Sequence, residues 1–357
     1  MDIIPLTEEY TPKTLVHRGE QIKDIENEIL TFKRIGVCSN LLIDGTSGSG
    51  KTVTIKYLIK KYPEQIQYHN AVELDSSILN LLNEISDKSG TTIYSALTKV
   101  FDTLSQKRII LVIDEIHKFR NIEKLWNLLN GIYRRTSIPS FVIPTRKQFV
   151  NTMPEDAKLT LLYQHVLFPA YTADEIRDIL KQRLELSGAS FEDDGILSAI
   201  AYRTYHLGAR TAINVLRTLV CDEIKKPTPA MLDGIIHRFD AESLKTTICR
   251  MDKIEQNLMF IMADLMVTQH GRPVHTGLVT ERYVEGFGTL ARETISRKIT
   301  NLVEYGYLTP VGGQRTAKRD GPGITRRLSM DILTAYQIQK IHDELLTAIP
   351  QKKLEAE

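Results

Sequence analysis

The fold of this chain is decided by the stretch Asn40-Leu-Leu-Ile-Asp-Gly-Thr-Ser-Gly-Ser-Gly-Lys-Thr52. The stretch fits G-x-x-x-x-G-K-[ST], a loop whose backbone N–H groups surround phosphates while its lysine reaches the outer oxygens. The apolar residues before the loop predict a short buried strand. Residues 53–61 after the loop predict a helix, which Pro63 ends because proline cannot continue it. The sequence therefore predicts a phosphate-binding loop between a strand and a helix.

This loop offers several kinds of group to a nucleotide. Its glycines let the backbone approach a phosphate without a Cβ clash, and the helix N-terminus adds partial positive charge. We expect Lys51 to reach the terminal phosphates and the hydroxyl of Thr52 to bind Mg²⁺. The expected cofactors are therefore ATP or ADP with Mg²⁺. The loop residues predicted to bind the nucleotide are Gly45, Thr46, Ser47, Gly48, Ser49, Gly50, Lys51, Thr52 and Val53.

A second stretch supports the first, because Arg108-Ile-Ile-Leu-Val-Ile-Asp114-Glu115 reads as a buried strand that ends in two carboxylates. A continuous apolar run is typical of a parallel strand covered on both faces. Ligands of such sheets bind beyond the carboxyl ends of the strands, which is where these two residues emerge. We expect Asp114 to hold Mg²⁺ through water, and Glu115 to orient or deprotonate the attacking water.

The composition is that of an ordinary globular protein. The chain has 357 residues, of which 42% are hydrophobic and 25% are charged, with a formal net charge of +2. This length predicts two or three domains. Cys38, Cys221 and Cys249 are too few and too scattered for a zinc site or a disulfide framework. The start is unlike a signal peptide, and the near-apolar segment 258–267 is too short to span a bilayer. We expect a cytoplasmic protein with no membrane partner.

The pattern along the chain divides it into three parts. Strands predicted at 40–44, 66–72, 109–113, 140–145 and 165–168 alternate with helical segments. This alternation predicts an α/β domain with a parallel five-stranded sheet. After Pro169 only helical patterns follow, to about residue 247. The predicted domains are a nucleotide-binding base at 1–169, an all-α lid at 170–247 and a third domain at 248–357.

The third part has the pattern of a winged helix, the variant of helix-turn-helix in which a hairpin follows the helices. Three helical segments precede the short strand at 307–311, a glycine-rich basic tip at 312–323 and a strand at 324–329. Residues 289–330 contain eight Lys or Arg residues against three Asp or Glu residues. Such an excess of positive charge is typical of a surface that binds the phosphate backbone of DNA. The alternative is a solvated hairpin tip on a domain that contacts only protein.

Together these three parts resemble the archaeal origin-recognition and cell-division-control replication initiators, which belong to the AAA+ class. The segment around Leu15-Val-His-Arg18 resembles the family's adenine-contacting segment, and residues 166–183 resemble the entrance to its lid. Leu207-Gly-Ala-Arg210-Thr-Ala resembles its sensor-2 motif. The resemblance implies that the nucleotide also contacts Val16, Arg18, Tyr171, Ile179 and, at its phosphates, Arg210. It also implies binding to double-stranded origin DNA, to a replicative helicase and to other initiator copies.

Two positions depart from the family pattern. The polar sensor of the fourth strand, usually asparagine, falls at Thr145, which we expect to sense the γ-phosphate. The segment Met153-Pro-Glu-Asp-Ala-Lys158-Leu-Thr stands where the family places an arginine finger, and it contains no arginine. A lysine lacks the planar fork of an arginine, so Lys158 is a poor substitute. We therefore expect at most a weak ATPase that acts as a nucleotide switch.

The leading hypothesis is a nucleotide-switched initiator that marks replication origins and recruits a helicase. Thr294, Arg297, Lys298 and Asn301 are predicted to face the major groove, and Arg315, Lys318 and Arg319 to contact backbone or minor groove. One alternative is an accessory family member that binds DNA for regulation, with ATP as a structural ligand. Another is an AAA+ signalling or transposition-type ATPase whose winged helix binds protein.

Overall fold

The computed structural model describes residues 2–119, 121–144, 152–193, 195–249, 251–304, 307–311, 327–330 and 332–347. Contacts divide the chain into two compact units, Met1–Ile236 and His237–Glu357. The division falls within the helix Pro229–Cys249. Among the described residues, no helix has both the length and the apolar character that crossing a bilayer requires.

The first unit is built on a parallel sheet of five strands. The order of the strands across the sheet is β2-β3-β4-β1-β5, and every recorded pairing is parallel. Its strands are β1 (Leu41–Gly45), β2 (Ile66–Asn70), β3 (Ile110–Asp114), β4 (Ser140–Ile143) and β5 (Gln164–Phe168). Its helices are α1 (Gly19–Ile35), α2 (Lys51–Lys61), α3 (Ile78–Ser86), α4 (Ile93–Leu104), α5 (Ile122–Thr136), α6 (Glu155–Leu161), α7 (Ala173–Ser187), α8 (Gly195–Thr204), α9 (Ala209–Cys221) and the start of α10 (Pro229–Cys249).

The sheet is covered on both faces, because alternate residues of its strands join two separate hydrophobic clusters. Leu42, Leu111 and Val142 pack with α3, α4 and α5, whereas Leu41 and Val112 pack with α1 and α2. All five residues of β3 are buried, as the apolar run predicts. The α/β fold with a parallel five-stranded sheet is therefore confirmed.

Strand β2 ends at Asn70, two residues before its predicted end. The side-chain oxygen of Asn70 accepts a hydrogen bond from the N–H of Val72 at 2.9 Å, which turns the chain out of the strand. The Ala71 N–H still donates to the Asp114 carbonyl at 3.0 Å. The strand pattern in the sequence did not reveal this local turn.

The helices α7 to α9 form the part of the first unit that the sequence assigns to a lid. Thr172 and Glu175 make the predicted capping box at the start of α7, and Gly188 ends that helix with a φ of +68°. Ile176 and Leu180 are fully buried on its inner face. The lid belongs to the same compact unit as the sheet, and the boundary between residues 169 and 170 remains our proposal.

The second unit combines helices with a small antiparallel sheet. The sheet order is β6-β8-β7, and both pairings are antiparallel. Its elements after α10 are α11 (Lys253–Thr268), β6 (Val274–His275), α12 (Thr276–Phe287), α13 (Arg292–Glu304), β7 (Thr309–Val311), β8 (Arg327–Ser329) and α14 (Ile332–Thr347). Ile295, Ile299 and Leu302 of α13 pack in a core with Leu258 and Leu328. The elements α11, β6, α12 and α13, followed by the antiparallel pair β7 and β8, have the order that is typical of a winged helix.

Candidate functional site

The glycine-rich loop has the strand-to-helix context that its sequence predicts. Gly45 is the last residue of β1, and Lys51 is the first residue of α2. Gly48 and Gly50 adopt left-handed φ values of +73° and +90°, which other residues adopt only at a cost. A Cβ at Gly50 would also lie 2.4 Å from the hydroxyl oxygen of Tyr171. The loop thus needs glycine for both its backbone angles and its close packing.

Lys51 points its ammonium group into this loop. Its Nζ donates to the Gly45 carbonyl at 2.6 Å and to the Thr46 carbonyl at 2.8 Å. Burial lowers the pKa of Lys51, and the nearby carboxylates of Asp114 and Glu115 oppose that shift. The buried hydroxyl oxygen of Ser49 has no hydrogen-bond partner among the described residues. A buried cation inside a cradle of glycine backbone fits the phosphates of a nucleotide.

Asp114 lies buried beside the loop, at the carboxyl end of β3. It is 2% exposed, and its Oδ2 accepts hydrogen bonds from the hydroxyls of Thr52 at 2.7 Å and Tyr68 at 2.9 Å. Its Oδ1 accepts from the Glu115 N–H at 2.8 Å. Burial, and next the charge of Asp114, raises the pKa of Tyr68 far above its ordinary value, so that hydroxyl stays a donor. Thr52 and Asp114, which the sequence predicts as Mg²⁺ ligands, therefore lie in direct hydrogen-bond contact.

Glu115 follows on a strained turn. Its φ is +54°, which is uncommon outside glycine. Its Oε2 lies 3.3 Å from Nε2 of His117, and the residue lines a cavity of about 270 Å³ together with Lys51 and Thr52. The strained turn brings this carboxylate to the cavity that the phosphate-binding loop surrounds.

Arg18, which the resemblance assigns to the nucleotide, directs its guanidinium to backbone carbonyls of the protein itself. The side chain is 2% exposed, and it donates to the carbonyls of Ser49 at 2.9 Å and Pro169 at 2.7 Å, and to that of His17 at 2.8 Å. It also stacks on Tyr171, with 3.6 Å from its central carbon to the ring centre. Arg18 thus fastens the phosphate-binding loop to the end of β5.

A smaller, more apolar cavity adjoins the loop on the side of the lid. Its volume is about 60 Å³. The residues that line it come from the N-terminal segment, the loop, α2, α7 and α9: Pro12, Leu15, Val16, Gly50, Val53, Tyr171, Ile179, Gln182, Arg183, Ala209 and Ile213. Val16, Tyr171 and Ile179, which the resemblance assigned to the nucleotide, therefore meet in one place. Apolar walls of this kind suit the flat ring of a base.

Arg210 extends from the first turn of α9 and lines the larger cavity with Lys51. Its Nε lies 3.0 Å from Oε2 of Glu8, and its side chain is 61% exposed. The start of α9 rests directly on the loop, because a Cβ at Gly48 would lie 3.1 Å from the Cα of Gly208. Arg210 and Lys51 therefore line the same cavity from two different helices.

The DNA-contact residues predicted from the sequence are only partly within the described structure. Arg297 is exposed on α13, and Thr294 and Asn301 are partly exposed. Lys298 requires a correction, because its Nζ contacts the carboxylates of Asp252 and Glu255, and its side chain is only 18% exposed. We therefore remove Lys298 from the proposed DNA-contacting set. Thr145, Arg315, Lys318 and Arg319 lie outside the described residues.

Comparisons with known proteins agree on one group of relatives. Residues 35–153 match the family model described as an AAA domain. The ORC1-type DNA replication protein of Pyrococcus furiosus is 26% identical over 94% of this chain and 88% of its own length. The protein of the same name from Thermococcus kodakarensis is 27% identical over 95% of this chain and 90% of its own length. This chain resembles the archaeal ORC1-type DNA replication proteins over nearly its whole length.

Solved structures show that the fold is also that of the ORC1-type proteins. The structure of the Aeropyrum pernix ORC1 protein in complex with DNA matches with a TM-score of 0.73 and 21% identity, over 97% of both chains. The Aeropyrum pernix ORC2 protein in its ADPNP–ADP complexes matches with a TM-score of 0.64 and 16% identity, over 97% of this chain and 98% of that chain. The AAA+ fold and the resemblance predicted from the sequence are confirmed.

Sequence reasoning about the ORC1-type motifs missed three contacts within the site. Tyr68 lies two residues before Asn70 on β2, so both lie on the same face of the sheet. The pairing of β2 with β3 sets Asn70 opposite Asp114, and this brings the Tyr68 hydroxyl to the Asp114 carboxylate. Glu8 lies far from Arg210 along the chain, and Asn214 reads as an ordinary residue of a helix. The pairing of the predicted strands β2 and β3 could have indicated that Tyr68 lies near Asp114. No sequence pattern indicated that Glu8 contacts Arg210.

Proposed function

We propose that this chain is a nucleotide-switched replication initiator that binds double-stranded DNA at origins and helps to recruit the replicative helicase. The nucleotide part is carried by one observation, the buried ammonium of Lys51 inside a glycine cradle that opens to a cavity of about 270 Å³. The AAA+ fold supports this part of the proposal. The origin and helicase parts rest on the resemblance to ORC1-type replication proteins.

Thr52 and Asp114 are the residues that would hold Mg²⁺ beside the phosphates. Hydroxyl and carboxylate oxygens are the ligands that Mg²⁺ prefers, and these two groups already lie 2.7 Å apart. A bound Mg²⁺ ion neutralises charge that develops on the phosphates. Tyr68 donates to the same carboxylate oxygen as Thr52, so it fixes the orientation of Asp114.

Hydrolysis by this site should be slow. Glu115 lines the cavity, and we propose that it orients the attacking water there. Lys158, which stands in the segment where the family has an arginine finger, is bound to Glu155 at 2.7 Å. An arginine finger contributes orders of magnitude in rate, and this segment supplies none. The site is therefore suited to a switch between ATP and ADP rather than to rapid turnover.

The DNA part of the proposal rests on the second unit. Arg297 is exposed on α13, and the neighbouring Asn301 is partly exposed on the same helix. Arginine and asparagine recognise the edges of guanine and adenine, respectively, in the major groove. The structure that matches with the TM-score of 0.73 is of an ORC1 protein in complex with DNA. We propose that α13 reads bases and that the basic tip at 312–323 contacts the backbone.

A second candidate function is that of an accessory regulator that binds DNA but does not start replication. The absence of an arginine from residues 153–160 favours it, because such a regulator does not require ATP turnover between subunits. Genome-wide mapping of bound sites distinguishes the two. An initiator concentrates at origins, whereas a regulator concentrates at promoters.

The nucleotide part is tested by extracting the purified protein and separating the released nucleotides by chromatography. We expect bound ADP or ATP in the wild-type protein and none in Lys51→Ala. Lys61→Ala is the matched control, because Lys61 lies on the same helix but pairs with Glu26 and is not among the residues that line the cavity. A wild-type protein that is empty and binds no added nucleotide would contradict the proposal.

A further inference from the structure

The ion pair between Glu8 and Arg210 joins the N-terminal segment to the lid at the wall of the larger cavity. Oε2 of Glu8 lies 3.0 Å from Nε of Arg210, and Oε1 accepts a hydrogen bond from the Asn214 amide at 2.6 Å. Arg210 and Asn214 are four residues apart, so both project from the same face of α9. Both carboxylate oxygens of Glu8 are thus engaged by this one helix.

The position of Glu8 is fixed by the chain on both sides of it. Leu6 is fully buried, and Arg183 of α7 donates to the Pro5 carbonyl at 2.8 Å and to the Tyr10 carbonyl at 3.1 Å. The backbone is therefore anchored to the lid before and after Glu8. The contact between the Glu8 carboxylate and Arg210 is therefore made from a backbone segment that is held on both sides.

The same cavity that Glu8 and Arg210 line also contains the phosphate-binding groups Lys51 and Thr52. A carboxylate and a terminal phosphate both present oxygen acceptors to a guanidinium, and both carry negative charge. They therefore compete for Arg210. ADP lacks the γ-phosphate, which is the terminal phosphate of ATP, and so offers no such competitor.

We propose that Glu8 is a positioning residue that holds Arg210 when no γ-phosphate is bound, and that the γ-phosphate of ATP displaces it. The inference rests on the proposed nucleotide site and adds a residue that sets the preference for ATP over ADP. Part of the binding free energy of ATP is spent on breaking the Glu8–Arg210 pair. ADP leaves the pair intact.

The test is to measure dissociation constants for ADP and for a non-hydrolysable ATP analogue, both with Mg²⁺, in matched variants of the full chain. Glu8→Gln should tighten the analogue about two- to fivefold, the range of an exposed ion pair, and leave ADP unchanged. Glu8→Asp retains the charge and should restore the wild-type ratio of the two constants. The double variant Glu8→Gln, Arg210→Ala should show the same ratio of the two dissociation constants as the single variant Arg210→Ala.

Glu9→Gln is the matched control, because Glu9 is the neighbouring carboxylate and lines the same cavity. Removal of this charge should affect the analogue and ADP by similar factors. Glu8 is 40% exposed, so Glu8→Gln should keep the melting temperature of the wild-type protein.

Two results would overturn the inference. One is a Glu8→Gln variant that changes both dissociation constants by the same factor, and the other is an equal effect with and without Arg210. If the wild-type protein binds ADP and the analogue but the ratio does not move, only the role of Glu8 fails. If the wild-type protein binds neither nucleotide, the proposed nucleotide site fails as well.

Discussion

Arg18 connects the phosphate-binding loop to the chain that follows β5. Its guanidinium joins the carbonyl of Ser49 in the phosphate-binding loop to that of Pro169 after β5, and it stacks on Tyr171. Burial lowers the pKa of Arg18, and Tyr171 and Glu175 oppose that shift. The planar fork of an arginine satisfies several carbonyls at once, whereas a lysine offers one point charge.

Arg18→Lys should therefore reduce the free energy of unfolding by roughly 1–3 kcal/mol, the cost of leaving buried polar groups without partners. Denaturant unfolding measures this change. Arg177→Lys is the control, because Arg177 makes surface pairs with Asp174 and Asp178 and should change stability little. Equal stability of Arg18→Lys and the wild-type protein would show that the contacts of the Arg18 guanidinium with Ser49 and Pro169 do not contribute to stability.

Gly50 tests whether the loop needs its close contact with Tyr171. Gly50→Ala should abolish nucleotide retention, because its Cβ would lie 2.4 Å from the Tyr171 hydroxyl oxygen and its φ of +90° disfavours alanine. Adding Tyr171→Phe removes the hydroxyl and should restore part of the binding. Gly188→Ala, at a φ of +68° with open space around its Cβ, shows the effect of the backbone angle alone. Full retention in Gly50→Ala would contradict the description of the loop.

The sequence predicts the positions of some residues of the site well and misses the contacts of others. The positions of Lys51, Thr52 and Asp114 follow from a fixed local pattern on a strand and a helix, and the structure brings them together. The contacts of Arg18 with Pro169 and of Arg210 with Glu8 each join segments more than a hundred residues apart along the chain. Such contacts depend on how the elements pack, which no local spacing encodes.

At the scale of elements, α13 is fastened to the start of α11 through Lys298. Nζ of Lys298 contacts Asp252, the cap of α11, and lies 3.1 Å from Oε1 of Glu255. The helical period of the sequence correctly predicts the buried face of α13 with Ile295, Ile299 and Leu302. It places Lys298 on the flank of that face but gives no sign of its acidic partners.

Lys298 and Arg297 should therefore behave differently although they are neighbours. Lys298→Met should lower the free energy of unfolding by about 1 kcal/mol, after allowance for solvent around the half-exposed Asp252, and change DNA affinity little. Arg297→Met should leave stability unchanged and cost roughly 1–3 kcal/mol in binding to a cognate duplex. Unfolding curves and DNA titrations of both variants check this. A loss of DNA affinity in Lys298→Met together with a loss of stability in Arg297→Met would contradict the orientation of α13.

The same contact predicts a dependence of stability on pH. Burial alone raises the pKa of Asp252, but the hydrogen bond from Lys298 and that from the Glu255 N–H bring it below its ordinary value. Burial alone lowers the pKa of Lys298, but its two carboxylate partners raise it above its ordinary value. The contribution is therefore complete between about pH 4 and pH 10, the ordinary values of the two groups. It is lost below the folded-state pKa of Asp252 and above that of Lys298.

This pH dependence is measured as unfolding free energy across the acid range in the wild-type protein and Lys298→Met. The difference between the two proteins should shrink as the pH falls below about 4. A difference that stays constant through that range would show that the ion pair does not carry the stability.

At the scale of the whole molecule, the proposed nucleotide and DNA functions fall in different compact units. The phosphate-binding loop, Asp114 and Arg210 belong to the unit Met1–Ile236, and α13 belongs to the unit His237–Glu357. The sequence predicts the elements of both units because each has its own strand or helix period. The sequence does not indicate where the first unit ends, because the division between the two units falls inside the continuous helix α10.

The basic tip at 312–323 belongs to this scale because we expect it to contact the phosphates of any duplex. Neutralising Arg315 and Arg319 together should weaken binding to cognate and random DNA alike, and reduce the slope of log affinity against log salt by about 2. Titrations at several salt concentrations measure the slope. An unchanged slope would show that the tip does not contact phosphates.

The central claim is tested most directly by footprinting the purified full chain, with nucleotide bound, on the intergenic DNA of its own replicon. The account predicts discrete protected segments for the wild-type protein, and their loss when Arg297 and Asn301 are both replaced by alanine. The double variant should retain its nucleotide, because both residues lie in the second unit. A folded, nucleotide-bound wild-type protein that protects no segment, or a double variant with the same protection, would contradict the account.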